Sequence, residues 1–175
     1  MSDLRQKTLL LALIEKMNEA GSWCGETHIQ KVAYFLQKGF GGPLNYDFLL
    51  YKHGPFSFDL RDDLSEMRSN GFVEVSSNCP YGSSFHVGNN ASTLKELFQT
   101  TISEYDELLS SVAKTISPFN VSELEKISTA LYVCGEERID DPSACAIRIN
   151  SLKPHITLEE AESAAKKVKV LVKND

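Results

Sequence analysis

The sequence predicts a mostly helical α+β protein: a winged-helix-like N-terminal module with a β-hairpin, followed by a helical C-terminal part packed on it. Over most of the chain, apolar residues recur at intervals of three and four, which is the period of an amphipathic helix. Between residues 72 and 87, short runs instead alternate apolar and polar residues on either side of a Pro/Gly turn, as hairpin strands do. We place the module at residues 1–88 and the helical part at residues 91–175.

Two helices are predicted to open the module. Residues 4–20 carry apolar side chains at helical spacing, and the pattern stops at Gly21. Thr27 and Gln30 have the spacing of a capping box, which predicts the start of a second helix that ends at Gly39.

A short strand and a structural turn are predicted next. The β-rich stretch from Tyr46 to Tyr51 is predicted to end at Gly54 and Pro55. Pro55 fixes its own φ angle, while Gly54 can adopt a positive φ that β-branched residues cannot. We expect the start of the second helix, at Gln30 and Lys31, to lie near this corner.

The rest of the module is predicted to be a third helix and the hairpin. Ser57 can cap the helix and Asn70-Gly71 can close it. The hairpin then joins residues 72–75 to residues 84–87.

The C-terminal part is predicted to begin with one long helix from Thr93 to Ile116. It carries more apolar positions than one small module can cover, which favours a homodimer. The alternative is an intramolecular bundle completed by helices at residues 121–134 and 142–152. Capping residues mark the three later helix starts: Asn120 with Glu123, Asp141 before Pro142, and Thr157 with Glu160.

Composition limits the classes of partner. The 175 residues include 18 basic and 24 acidic side chains, a net charge of −6. Non-specific binding to nucleic acid depends on Lys and Arg that displace counterions, so this balance argues against a general polyanion binder. The longest apolar run, residues 9–14, is far shorter than a bilayer span, and no signal-like segment follows the N terminus. We expect no membrane partner and a cytoplasmic location.

No motif predicts catalysis, a metal ion or another cofactor. The cysteines form no Cys-x-x-Cys pair, so we interpret them as packing thiols rather than zinc ligands or a disulfide framework. The histidines lie in no motif that would bring them to a nucleophile, and no glycine-rich phosphate loop follows a strand. We predict no catalytic residue, and an enzyme is the least favoured hypothesis. The residues concerned are Cys24, Cys79, Cys134 and Cys145, with His28, His53, His86 and His155.

Four carboxylates share a face of the third helix, which bears on metal and DNA binding. A solvated helix face explains this pattern better than a divalent-metal site. In a winged-helix protein this helix usually enters the DNA major groove, where the carboxylates would repel phosphate. Residues 1–90 hold 8 basic and 10 acidic side chains, so DNA binding would need the wing or a patch of three lysines. The carboxylates are Asp59, Asp62, Asp63 and Glu66, and the lysines are Lys31, Lys38 and Lys52.

Part of the module resembles a known family. The segments are Ile29-Gln30-Lys31-Val32-Ala33-Tyr34, Tyr51-Lys52-His53-Gly54-Pro55-Phe56-Ser57, and Gly71-Phe72-Val73 after Leu64. They are similar to the Panacea-type antitoxin and SocA-like group of prokaryotic proteins, and to a small bacterial branch of it. The family pattern has a strand that ends in YGP. This chain departs from it because Lys52 and His53 are inserted between Tyr51 and Gly54-Pro55. The resemblance implies a non-enzymatic interaction module, in some members an antitoxin or a proteolysis adaptor, whose partner is a toxin or client protein.

The aromatic residues of these segments predict where a partner binds. Tyr34, Phe48, Tyr51, Phe56 and Phe58 can form a seam between helix and strand, and this seam is either core or a partly exposed groove. Aromatic residues beside a few polar anchors are typical of interface centres. The predicted partner-binding residues are Tyr34, Tyr51, Lys52, His53 and Phe56. The function hypothesis is a prokaryotic regulator that acts by protein–protein interaction, and the alternative is a winged-helix DNA-binding transcriptional regulator.

Overall fold

The computed structural model describes residues 4–78 and 82–172. The helices are α1 (Leu4–Glu19), α2 (Glu26–Tyr34), α3 (Phe58–Ser69), α4 (Ala91–Leu97), α5 (Gln99–Ile116), α6 (Val121–Glu136), α7 (Pro142–Leu152) and α8 (Leu158–Val172), and a π-helical turn (Phe35–Gly39) extends α2. The strands are β1 (Leu49–Tyr51), β2 (Gly54–Phe56), β3 (Val73–Asn78) and β4 (Gly82–Val87). The mostly helical α+β class is confirmed.

The strands form two separate antiparallel hairpins. In the first, Leu49 pairs with Phe56 and Tyr51 pairs with Gly54. Gly54 and Pro55 therefore begin the returning strand β2, which corrects the prediction that they end the sheet segment. The second hairpin, β3–β4, lies where the sequence predicts it. Its predicted turn, which includes Cys79, lies outside the described residues.

Helix α1 is the central element of the core. Residues 9–14 are all buried, at 2% exposure or less, because neighbours cover this helix on several sides. It packs against α2, α4, α5 and β4. The core is therefore continuous across the predicted boundary between residues 88 and 91.

The long helix predicted from Thr93 to Ile116 is wrong. It is two helices, α4 and α5, because the backbone leaves helical geometry at Phe98, where φ is −120°. Helix α5 packs mainly against α1, and its residues Val112 and Ile116 are buried in the core. Because these residues are covered within the chain, the argument for a homodimer is weaker, and the homodimer stays a prediction.

Most predicted helix caps are present. The Ser57 hydroxyl accepts a hydrogen bond from the Leu60 amide, and Gly71 has the predicted left-handed φ of +72°. The caps of the later helices are confirmed: Asn120 with Glu123, Asp141 before Pro142, and Thr157 with Glu160.

Two predicted capping boxes are wrong. Helix α2 starts at Glu26, and its N-cap residue is Gly25, which has no side chain to cap it. Thr27 therefore lies inside the helix, and the Gln30 amide bonds Ser57 instead. Helix α4 starts at Ala91, so Thr93 lies inside the helix rather than before it.

The interpretation of all four cysteines as packing thiols is wrong for two of them. Cys134 and Cys145 form a disulfide that joins α6 to α7, with their Cα atoms 5.8 Å apart. Arg148 also bonds Glu137 across the same connection at 2.8 Å. Cys24 is a buried thiol, as predicted, and burial raises its pKa to about 12.

The carboxylates of α3 do not all lie on a solvated face. The buried Lys7 ammonium on α1 lies 3.5 Å from Asp63 and 2.5 Å from Glu66, and the Tyr46 hydroxyl donates to Asp63 at 2.8 Å. Asp63 and Glu66 therefore tie α3 to α1, whereas Asp59 and Asp62 are exposed. In residues 4–78 and 82–172, no group of three or more His, Cys, Asp or Glu side chains is arranged to hold a metal ion.

Within the same described ranges, none of the helices combines the length and the apolar character needed to cross a bilayer.

Candidate functional site

The β1–β2 hairpin and its surroundings contain all the predicted site residues except Tyr34. Two glutamines, seven residues apart, hold the segment at both ends. The Gln30 side-chain amide donates to the Ser57 carbonyl and accepts from the Ser57 amide, both at 2.9 Å. The Gln37 amide does the same with Tyr46, also at 2.9 Å. Each glutamine satisfies two backbone groups that would otherwise be unpaired away from water.

A buried lysine lies beneath the returning strand. The Lys31 ammonium donates to the Pro55 carbonyl at 2.7 Å, and the residue is 2% exposed. Burial lowers the pKa of Lys31 to about 8, with the positive charge of Lys153 acting in the same direction and the carboxylate of Glu125 opposing. The expected proximity of Gln30 and Lys31 to the Gly54-Pro55 corner is confirmed.

Gly54 permits the close approach of the hairpin to α6. Its φ is +91°, as its predicted role requires. A Cβ at this position would lie 3.0 Å from the Thr129 hydroxyl and 3.2 Å from the Ser128 hydroxyl. Both the backbone conformation and the lack of space therefore require glycine here.

The turn of the hairpin is held by residues from the distant α6 and the α7–α8 connection. The Lys153 ammonium donates to the carbonyls of Tyr51 and Lys52, the second at 2.6 Å. The Glu125 carboxylate lies 3.5 Å from the His53 imidazole and 3.0 Å from that of His155. These residues line a cleft of about 410 Å³ next to the turn. Burial also lowers the pKa of Lys153.

Apolar side chains cover the outward face of the hairpin. The ring centroids of Phe56 and Phe58 are 5.1 Å apart, and the Tyr51 ring lies 5.6 Å from that of Phe56. The Arg61 guanidinium lies 5.0 Å from the Phe58 ring centroid. Tyr51 is 52% exposed, Leu49 42% and Phe58 39%. We call Leu49, Tyr51, Phe56 and Phe58 the aromatic surface.

Tyr34 is not part of this surface, which corrects its prediction as a partner-binding residue. It is 2% exposed, and its ring packs edge-on against Phe48 with centroids 5.0 Å apart. Successive strand residues point to opposite faces, so Phe48 and Leu50 turn to the core while Leu49 and Tyr51 turn outward. The predicted aromatic seam is therefore two clusters, one core and one exposed.

Sequence reasoning missed the residues that hold the hairpin from the C-terminal part. Glu125, Lys153 and His155 lie in no motif and far along the chain from residues 51–54. Gln37 carried a weak signal, since it repeats Gln30 two helical turns later. A larger apolar groove of about 530 Å³ lies along α8 beside Phe119, and it shares no lining residue with the hairpin cleft.

The chain matches no protein-family model, no curated protein and no solved structure.

Proposed function

We propose that this protein is a non-enzymatic prokaryotic regulator, antitoxin-like or adaptor-like, that binds another protein through the aromatic surface. The observation that carries the proposal is an exposed aromatic cluster on a hairpin whose backbone is bonded at both ends and at its turn. Contiguous exposed apolar groups in a water-exposed protein often mark interaction sites, and Tyr, Phe and Arg are enriched where binding energy concentrates.

The clamped backbone supports the same proposal. A surface that is already ordered before binding loses little conformational entropy when the partner arrives. Gln30, Gln37 and Lys153 hold the backbone on either side of the exposed rings. The partner would therefore meet the rings of Tyr51 and Phe58 in an arrangement close to their bound one.

The alternative, a winged-helix DNA-binding regulator, has less support. In the arrangement it needs, α3 would read the groove and β3–β4 would be the wing. The described strand residues 73–78 and 82–87 contain no Lys or Arg, and α3 exposes Asp59 and Asp62. The strands therefore offer no positive charge, and the two arginines of α3, Arg61 and Arg68, are outnumbered by its four carboxylates, which disfavours phosphate contacts.

Cytoplasmic location is part of the proposal, and one observation weighs against it. The Cys134–Cys145 disulfide is of a kind that reducing compartments rarely contain. Alkylation of free thiols in freshly lysed cells, followed by mass spectrometry, measures the oxidised fraction of this pair directly. A mostly reduced pair agrees with a cytoplasmic location, and a fully oxidised pair contradicts it.

A photo-crosslinking experiment tests the proposed function. A photo-reactive phenylalanine analogue replaces Tyr51 in cells of the source organism, and the control chain carries it at Ser83, an exposed position of the other hairpin. We expect one protein to crosslink at position 51 and not at position 83. Capture counts only if the purified protein then binds the wild-type chain with a Kd below about 10 μM.

Three results contradict the proposal. The first is equal crosslinking from both positions, and the second is a captured protein that does not bind when purified. The third is sub-micromolar binding of the chain to one duplex DNA sequence at physiological salt, which would favour the DNA-binding alternative.

A further inference from the structure

A cationic cleft adjoins the aromatic surface at the hairpin turn. Its lining includes Lys52, Lys153, His53 and His155, with Glu125 as its one carboxylate. The buried Lys31 is close enough for its charge to interact with Glu125 and Lys153. Positive side chains therefore outnumber negative ones here, in a chain whose net charge is −6.

The bonds in the cleft leave one ammonium group directed to solvent. Lys153 is engaged with two backbone carbonyls, and both imidazoles face Glu125. Lys52 is exposed at the tip of the turn. It is the group best placed to meet a ligand anion, while the ammonium groups of Lys153 and Lys31 supply a positive field behind it.

Exposed carboxylates lie on the α3 side of the aromatic surface. Phe58 is followed on α3 by Asp59 and Asp62, which are exposed, and Arg61 is paired with Asp62 at 3.3 Å. The ring centroids of Phe58 and Tyr51 are 5.8 Å apart, so these carboxylates and the cations of the turn flank the same small group of rings. An acidic side chain of a partner is therefore attracted on the cleft side and repelled on the α3 side.

We propose that the cleft binds acidic side chains of the partner protein, so that the recognised segment has apolar residues over the aromatic surface followed by Asp or Glu at the hairpin turn. This inference rests on the proposed function, because it specifies the partner of the same surface. The cations beside Tyr51 supply the attraction, and the exposed carboxylates of α3 disfavour an acidic side chain on that side of the rings.

Fluorescence anisotropy with labelled peptides tests the inference. The probe peptide carries Phe and Leu residues followed by a run of glutamates, and the control peptide has glutamines in their place. We expect the glutamate peptide to bind about tenfold more tightly at low salt and to lose this advantage at about 1 M salt, where screening is strong. Lys52→Glu should remove the preference. Lys169→Glu, which makes the same charge change on an exposed face of α8, should leave it intact.

The variants separate this inference from the proposed function. Equal affinity for both peptides, or no effect of Lys52→Glu on the preference, overturns the inference of an acidic partner. The proposed function still stands in that case if Tyr51→Ala weakens the binding of both peptides. No binding of the glutamate peptide up to about 1 mM overturns the inference. Tighter binding of a single-stranded DNA oligonucleotide that depends on Lys52 also overturns it, because the cleft would then serve phosphate.

Discussion

The two hairpins share antiparallel pairing but differ in the side chains that they present: polar on β3–β4 and apolar on β1–β2. On β3–β4, the hydroxyls of Ser76 and Ser84 lie 3.0 Å apart and both lie 2.9 Å from the His86 imidazole, which also bonds Asn18. On β1–β2, the outward side chains are apolar. They pack against each other and are partly exposed to solvent. On the serine-rich hairpin these three polar side chains bond within the chain, whereas the aromatic hairpin leaves apolar area exposed.

The anchoring of the two hairpins explains this difference. Side chains of α2 and the α7–α8 connection bond the backbone of the first hairpin, so its own outward side chains are not needed to hold it. Because these backbone bonds do not involve the outward side chains, we propose that the exposure of those side chains serves binding. Substitutions at the anchoring residues should therefore change stability, whereas substitutions of the exposed side chains should change binding.

The largest expected loss of stability comes from a substitution at Gly54, where the hairpin approaches α6 closely. Gly54→Val should lower the free energy of unfolding by about 4 kcal/mol, because backbone strain at positive φ adds to crowding against Ser128 and Thr129. Gly82→Val on the other hairpin is the matched control, since Gly82 has a φ of +92° with nothing within 4 Å of its Cβ. Chemical denaturation of both variants measures the difference. Equal losses would show that the contact with α6 is unimportant.

The disulfide behind the first hairpin should have the next largest effect. The double variant Cys134→Ser/Cys145→Ser should lose about 3 kcal/mol of unfolding free energy, because the bond closes a loop with a sequence separation of 11. Hydrogen exchange should increase more at residues 49–56 than at residues 73–78, since α7 leads directly to Lys153. Uniform exchange over both hairpins would contradict the proposed anchoring.

The buried Lys31 should make stability depend on pH. Its pKa is about 8 when folded against an ordinary value of 10.5, so between these values the unfolded chain binds more protons. The free energy of unfolding should therefore rise with pH over this interval, by on the order of 3 kcal/mol for this residue. The rise should be absent in Lys31→Met and retained in Lys38→Met, which changes an exposed lysine. Parallel pH profiles for wild type and Lys31→Met would show that the ammonium is not desolvated.

The smallest effect on stability should come from exchanging the outward faces. Leu49→Ser and Ser77→Leu, both at exposed positions, should each change the free energy of unfolding by less than about 0.5 kcal/mol. Thermal melts check this. A much larger loss for Leu49→Ser would mean that the aromatic surface contributes to folding, which removes the reason to assign it to binding.

Local patterns predicted much of the fold and part of the site. Gly54 and Ser57 were predicted correctly because glycine at a turn and serine before a helix act through their own backbone. The break at Phe98 was not predicted, since the apolar spacing continues across it. Gln30 shows most clearly what local patterns cannot predict. Its spacing from Thr27 suggests a capping box, but in the folded chain its side chain bonds Ser57, which is distant in the sequence.

The long-range part of the site carried no sequence signal. Lys153 bonds a carbonyl 101 residues away, and Cys134 and Cys145 pair because the connection over residues 137–141 brings the end of α6 close to the start of α7. Neither contact follows from residue spacing. Tyr34 is buried and Tyr51 is exposed because the core covers only one face of the strand. The pattern of aromatic residues in the sequence does not show which face that is.

The affinity of the purified partner for matched hairpin variants shows which hairpin binds it. Isothermal titration should compare the wild type with Tyr51→Ala/Phe58→Ala on the aromatic surface and with Ser77→Ala/Ser83→Ala on the other hairpin, using the protein that crosslinks at position 51. We expect the aromatic pair to raise the Kd at least about thirtyfold, as for residues at the energetic centre of an interface, and the serine pair to change it less than about twofold. Equal affinities for all three proteins, with the folds intact by circular dichroism, would show that the partner does not bind the aromatic surface.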